Sequence, residues 1–299
     1  MKKILFATDG SHNSREAAKL LSRLFCGETL DLVVVTVLQV PYNILRAGTS
    51  IQQEKMIAAE RAAAVVAFEE IKKIFEHSDS KLRHVTREGH CGKEICELAA
   101  NENAELIVTG AKGRSTIERT LLGSTSDYVA HHAPCSVLVA RSADSKDLTS
   151  KDPTTNFQIV IGYQTTEASK HALEEFRLAN WQIQSDVHLV SAISLLSSFQ
   201  TEIVVDTEKI QQTANDALLE ARASLSQSGI DATTHLIEAD HIADSLVDYA
   251  EQHACDLLVV GENQHNILSR IIMGSVSRFV LRYAPCSVWI SRNQRQADS

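Results

Sequence analysis

The residues whose types and spacing suit chemistry fall between positions 110 and 125. They are Gly110-Ala111-Lys112-Gly113 and, after nine further residues, Gly123-Ser124-Thr125. A glycine at the end of a strand leaves no Cβ to block a ligand, and a second one lets the following loop turn back over it. A helix opening at Gly123-Ser124 presents unpaired amide N–H groups at residues 123–125, and its dipole favours an anion there. Lys112, Arg114 and Arg119 add positive charge nearby. The chemistry implied is the binding of a phosphate-bearing ligand. A carboxylate, Asp9, follows the apolar run Ile4-Leu5-Phe6-Ala7-Thr8 and can accept hydrogen bonds from hydroxyl or amino groups. Each feature has a plainer reading. Strand-end glycines are commonly turn residues, Ser124 with Asp127 fits a capping box, and Asp9-Gly10-Ser11 can cap a helix. The pattern means more only if the fold brings Asp9 and Gly110 together.

The elements around these residues make that juxtaposition an expectation. Lys3–Thr8 is a short apolar run, followed by apolar residues at helical spacing from Ala17 to Phe25. Valine-rich Leu32–Leu38 reads as a strand, and residues 51–77 as a long amphipathic helix. A strand over Leu82–Arg87, a helix over 93–102, a strand over Leu106–Thr109, a helix over Ser124–His132 and a strand over Val137–Ala140 complete the set. Apolar strands alternating with helices predict a parallel sheet covered on both faces. Right-handed crossovers then predict a doubly wound, flavodoxin- or Rossmann-like fold that binds ligands at the carboxyl ends of its strands.

The whole arrangement occurs twice. Ala133-Pro134-Cys135-Ser136-Val137 returns as Ala284-Pro285-Cys286-Ser287-Val288, and Gly123-Ser124 as Gly274-Ser275. Nearer the start of each copy, Ile4-Leu5-Phe6 corresponds to Ile159-Val160-Ile161. Second-copy strands are expected near 158–163, 187–194, 233–238, 257–260 and 287–291. The fold class is therefore α/β, with two doubly wound, parallel, five-stranded sheets, one per repeat. The reading gives a first domain over 1–142, a polar Ser/Thr/Asp-rich linker over 143–156, a second domain over 157–293 and a tail over 294–299.

Charge is divided unevenly. Residues 1–142 carry 18 Lys+Arg against 17 Asp+Glu, whereas 157–299 carry 9 against 18. The acidic second half argues against a nucleic-acid partner, and a polyphosphate should prefer the first half. The N-terminal apolar run stops at Thr8-Asp9, too short for a signal peptide, and no stretch suits a membrane span. Six scattered cysteines read as structural thiols, so the expected location is cytoplasmic.

Gly110, Gly113, Gly123 and Ser124, with the Asp9-Gly10-Ser11 opening and the Ala-Pro-Cys-Ser-Val close, resemble the ATP-binding pattern of the universal stress protein family. The resemblance covers nearly the whole chain, twice, and implies a tandem member with the adenine-nucleotide alpha-hydrolase-like fold. It implies that Asp9 and the backbone of Val37 hold the adenosine end, lined also by Ala7, Thr8, Thr109 and Gly110. Gly113, Gly123, Ser124 and Thr125 are implied to bind phosphates, with Lys112 beside them. The implied cofactor is ATP, with AMP or ADP as alternatives and magnesium alongside, in a regulatory stress-response role. Each apolar last strand, Val137-Leu138-Val139 and Val288-Trp289-Ile290, would leave an unprotected sheet edge. Family members pair this strand, so an intramolecular pseudo-dimer is expected, with further homo-oligomerisation open.

The second copy departs from the pattern. Gln264 stands for the second glycine, Glu262 adds a negative charge, Gln164 replaces Asp9, and Tyr163 is placed to fill space where adenine would lie. Arg278 in the first turn of the following helix suggests an anion nearby, yet the site reads as vestigial for ATP. Two other classes compete. One is a slow ATPase or nucleotide-activating enzyme, although Thr8-Asp9-Gly10-Ser11-His12-Asn13 lacks the Ser-Gly-Gly-x-Asp-Ser loop of such enzymes and no HIGH-type motif occurs. The other is a nucleotide-free scaffold. His12 reads as a capping or solvated residue, and His84, His90, Cys91 and Cys96 match no strong zinc spacing. His131-His132 reads as a helix end.

Overall fold

A computed structural model describes residues 2–38, 51–113, 122–141, 156–179, 183–194, 207–262 and 273–293, with side chains described from residue 54 in the 51–113 segment. The chain divides into two compact units, Met1–Ser150 and Lys151–Ser299. The polar stretch 142–155 lies outside the described residues.

The first unit follows the alternation read from its sequence. It runs β1 Lys2–Ala7, α1 His12–Leu24, β2 Leu30–Leu38, α2 Ile51–Ile74 and β3 Lys81–Glu88. Then come α3 Cys91–Asn101, β4 Leu106–Gly110, α4 Ser124–His132 and β5 Ser136–Ala140. Within the unit the strands lie in the order β3-β2-β1-β4-β5, with every pair parallel. Ile4, Leu5 and Phe6 of β1 and Leu106, Ile107 and Val108 of β4 are fully buried, because helices cover both faces of these central strands. β3, at the margin, alternates half-buried and exposed residues. α1 turns Ala17, Leu20, Leu21 and Leu24 inward at helical spacing, and Ser11 caps it by accepting from the Ser14 amide.

The second unit repeats the plan: β6 Phe157–Gly162, α5 Glu167–Leu178, β7 Ser185–Ile193, α6 Thr207–Ser226 and β8 Ala232–Glu238. It continues with α7 Ile242–Gln252, β9 Leu257–Gly261, α8 Ser275–Tyr283 and β10 Ser287–Ser291. Its parallel strands lie in the order β10-β9-β6-β7-β8. In each unit the winding reverses beside the first strand, between β1 and β4 and between β6 and β9. Such a reversal opens a crevice at the carboxyl ends. All six cysteines are unbridged, four of them buried. No helix among the described residues is long and apolar enough to cross a membrane.

Candidate functional site

The register of the central strands sets the geometry. Phe6 pairs with Val108, so the chain leaves β1 at Thr8-Asp9 beside the point where it leaves β4 at Gly110-Ala111. β2 continues further than β1: Ala7 pairs with Val35, which carries Val37 to the level of Asp9. Asp9 and Gly110, 101 positions apart in sequence, thus share one edge because parallel strands all end on the same side.

The turn after β1 is built from its own side chains. The Thr8 hydroxyl donates to Ser14 Oγ at 3.1 Å and accepts from the Gly10 amide at 3.1 Å. Asp9 Oδ1 accepts from the Ser11 amide at 3.0 Å, an Asx turn. Gly10 has φ of +75°, the left-handed region that favours glycine. Arg15 donates to the Gly10 carbonyl at 3.0 Å and pairs with Glu70, so α2 also holds this turn. One carboxylate oxygen of Asp9 is committed to its turn. The other faces Gly113, where an added Cβ would stand 2.8 Å from Asp9 Oδ2.

The two glycines of the first loop serve different ends. A Cβ on Gly110 would meet the backbone carbon and oxygen of Asn13 at 3.0 Å, so the first turn of α1 itself requires glycine there. Packing against α1 is thus a second reason for glycine at position 110, beside the ligand approach expected from the sequence. Gly113 is exposed and close to the Asp9 carboxylate, as a ligand-facing position requires. The loop returns at Gly123, whose amide donates to the Ala111 carbonyl at 2.7 Å. That bond removes residue 123 from the expected amide cradle, leaving Ser124 and Thr125. Gly123 is the N-cap of α4 and has no side chain with which to cap it, so Ser124 is not a capping residue. The amides of Ser124 and Thr125 fall in the first turn, which no helix carbonyl serves.

Ala7, Thr8 and Thr109 are buried at the strand ends, and Lys112 is half-buried on the loop. Arg114 and Arg119 lie outside the described residues. Sequence reasoning passed over Ser126, whose buried hydroxyl donates to the Gly110 carbonyl at 2.6 Å and ties α4 to the end of β4. Its counterpart Ser277 donates to the Gly261 carbonyl at 3.3 Å, so the repeat of Gly-Ser-x-Ser was the available signal.

The other candidates separate. His90 caps α3 by accepting from the Lys93 amide, while His84 stacks on Phe68 and burial lowers its pKa. No group of three or more His, Cys, Asp or Glu suited to a metal occurs among the described residues. His131 and His132 each bond the carbonyl four residues back, at 2.7 and 2.8 Å, as a helix end should. His12 is exposed at the start of α1.

In the second unit Tyr163 stands where Thr8 does, its amide donating to the Val190 carbonyl at 2.8 Å as that of Thr8 does to Val35. Tyr163 is buried and lines a cleft, and burial pushes its phenol pKa up. Gln164 donates from Nε2 to the Ala192 carbonyl at 3.3 Å. Glu262 does not act as a bare negative charge: it is buried and ion-paired with buried Arg292. Arg278 donates to the Met273 carbonyl at 3.1 Å, and Gln264 lies outside the described residues.

Comparison with known proteins identifies the family and the fold. A family model described as the Universal stress protein family matches residues 1–141 and again 156–292. A universal stress protein of Methanocaldococcus jannaschii is 36% identical over 143 residues, covering 47% of this chain and 82% of the relative. One of Mycobacterium tuberculosis is 28% identical over 201 residues, 64% of this chain and 63% of that relative's length. The crystal structure of a universal stress protein from Archaeoglobus fulgidus matches the fold with a TM-score of 0.69 at 18% identity, over 97% of this chain and 98% of that one. With its two matched segments spanning nearly all of the sequence, the chain belongs to the universal stress protein family and carries two copies of its domain.

Proposed function

We propose that the first unit binds ATP and that the chain acts as a nucleotide-responsive regulator rather than a turnover enzyme. The observation that carries this reading is the meeting of three features at one strand-end crevice. These are the Asp9 carboxylate, the bare Gly113 beside it, and the start of α4, left uncapped by Gly123. Asp9 accepts from the ribose or adenine end, with Ala7, Thr8, Val37, Thr109 and Gly110 forming the surrounding wall. The amides of Ser124 and Thr125 take the phosphates, with the helix dipole and Lys112 offsetting their charge. Magnesium accompanies the polyphosphate, and AMP or ADP would occupy part of the same crevice.

Calorimetric titration with ATP, ADP and AMP tests the assignment. One ATP site per chain is expected. Asp9→Ala removes a charge-assisted hydrogen bond worth about 1.5–3 kcal/mol, a loss of roughly ten- to a hundred-fold in affinity. Gly123→Val should abolish binding by driving a side chain into Ala111, whose carbonyl a Cβ would already approach at 3.2 Å. Undiminished affinity in both variants would refute the site, and turnover above about 1 per second would favour an enzyme instead.

We also infer that Val137-Leu138-Val139 and Val288-Trp289-Ile290, each on the last strand in its unit's order, pair with one another as an internal dimer. Support comes from their apolar composition, since an open edge of this kind invites strand addition. A separately expressed first unit that stays monomeric at high concentration would count against it.

A further inference from the structure

The second unit contains a cleft of about 490 Å³ at the carboxyl ends of β6 and β7, beside the amino-terminal half of α6. That volume lies in the range of pockets for small organic ligands. Tyr163, Gln164 and Thr166 line it from the turn after β6, and Ser191 and Ile193 from β7. α6 contributes Lys209, Ile210, Thr213, Ala214 and Ala217. Hydroxyl and amide groups therefore face a helix wall whose apolar part is Ile210, Ala214 and Ala217, with exposed Lys209 the one charged side chain among the described lining residues. No carboxylate lines the cleft among the described residues.

The adjoining phosphate end differs from that of the first unit. Glu262, where the first unit has Ala111, is sealed into a buried pair with Arg292. The guanidinium of Arg278, at the start of α8, is engaged by the Met273 carbonyl. Neither Gly261 and Glu262 nor Gly274 and Ser275 line the cleft. The second half, with 18 acidic against 9 basic residues, also repels a multiply charged anion over a distance.

We propose that the second unit binds an uncharged, nucleoside-sized ligand in this cleft and discriminates against its polyphosphate form. Gln164 supplies a neutral amide where the first unit has the Asp9 carboxylate, and Ser191 adds a hydroxyl. The ligand's apolar face lies on Ile210, Ala214 and Ala217. The two copies would then report on phosphorylated and unphosphorylated species separately. The choice of adenosine as probe rests on the nucleotide reading of the first unit, whereas the cleft and its carboxylate-free lining do not.

The test uses the full chain carrying Asp9→Ala and Gly123→Val, which removes both ends of the first site. Saturation-transfer NMR and calorimetry then compare adenosine with ATP. Adenosine should bind at least tenfold more tightly than ATP. Adding Ala214→Phe, which fills the cleft from its helix wall, should abolish adenosine binding with the circular dichroism spectrum unchanged. Ser191→Ala, a smaller change, should weaken it several-fold. In the otherwise wild-type chain Ala214→Phe should leave ATP binding intact. Equal or tighter binding of ATP by the second unit, no adenosine binding, or indifference to both cleft variants would each overturn the proposal. Failure of the wild-type chain to bind ATP would refute the first-unit assignment alone, since the adenosine comparison remains readable.

Discussion

Gly110 and Gly113 belong to one motif, yet the structure predicts opposite consequences for replacing them with alanine. At position 110 the new Cβ would lie 3.0 Å from the Asn13 backbone carbon and oxygen and 3.2 Å from Asn13 Cβ. Those atoms sit on the first turn of α1, held by the Ser11 cap and by Arg15 on Gly10, so they yield only if the helix moves. Overpacking of this kind costs about 1–3 kcal/mol, against a gain of about 0.4–1 kcal/mol from the stiffer unfolded chain. The net loss is about 1–2 kcal/mol, or roughly 3–6 °C in the melting temperature of a unit this size. At position 113 the Cβ meets only the end of the flexible Asp9 side chain, at 2.8 Å, and the carboxylate can swing aside. Stability should change by less than about 0.5 kcal/mol, while ATP affinity falls roughly tenfold as the acceptor moves. Scanning calorimetry without nucleotide, which separates ligand effects from intrinsic ones, reads the first quantity, and titration reads the second. A stable Gly110→Ala chain that has lost ATP, beside a destabilised Gly113→Ala chain that keeps it, would refute the reasoning.

Three further outcomes are expected. Ser126→Ala removes the bond to the Gly110 carbonyl and should lower the stability of the first unit by about 1 kcal/mol, visible as a shifted denaturation midpoint. Glu262→Ala removes the carboxylate paired with the buried Arg292 guanidinium and should destabilise the second unit by up to about 3–5 kcal/mol; pairing it with Arg292→Met should recover much of that loss in the same thermal scan. The third concerns the packed rings of His188, His235, His253 and Tyr249. Burial first, and neighbouring histidine charge second, hold His188 and His235 below the ordinary 6.5, with Asp186 opposing the shift at His188. A base with a depressed folded pKa binds fewer protons folded than unfolded. Its contribution is therefore complete above 6.5 and is lost as pH falls through that value toward the folded pKa. The second unit should melt progressively earlier as pH falls through and below 6.5, and a double His188→Gln and His235→Gln variant should flatten that slope; an unchanged slope would argue against it.

Much of the fold was legible because its signals are local and repeated. The helix over Ser124–His132 was read at its observed bounds, and most strands within two residues, since buried parallel strands leave unbroken apolar runs. The long helix ends earlier than residue 77, at Ile74. Within the candidate site, the grouping of Asp9 with Gly113 and Gly123 was legible once a doubly wound order was assumed. The packing task of Gly110 was not, because Asn13 comes against it only when α1 packs on β4. Nor was the Gly123 amide, whose partner at Ala111 exists only after the loop closes.

Residue order alone determined the duplication, the strand and helix sequence, and the substitutions that set the second copy apart. These are properties of composition and spacing, which need no knowledge of what touches what. Tertiary structure decided which groups are already spoken for. It bonded one Asp9 oxygen to Ser11, sealed Glu262 against Arg292, and left the cleft beside Gln164 open. Hydrogen-bond satisfaction and the exclusion of overlapping atoms depend on residues distant in sequence, so only the folded chain could assign them.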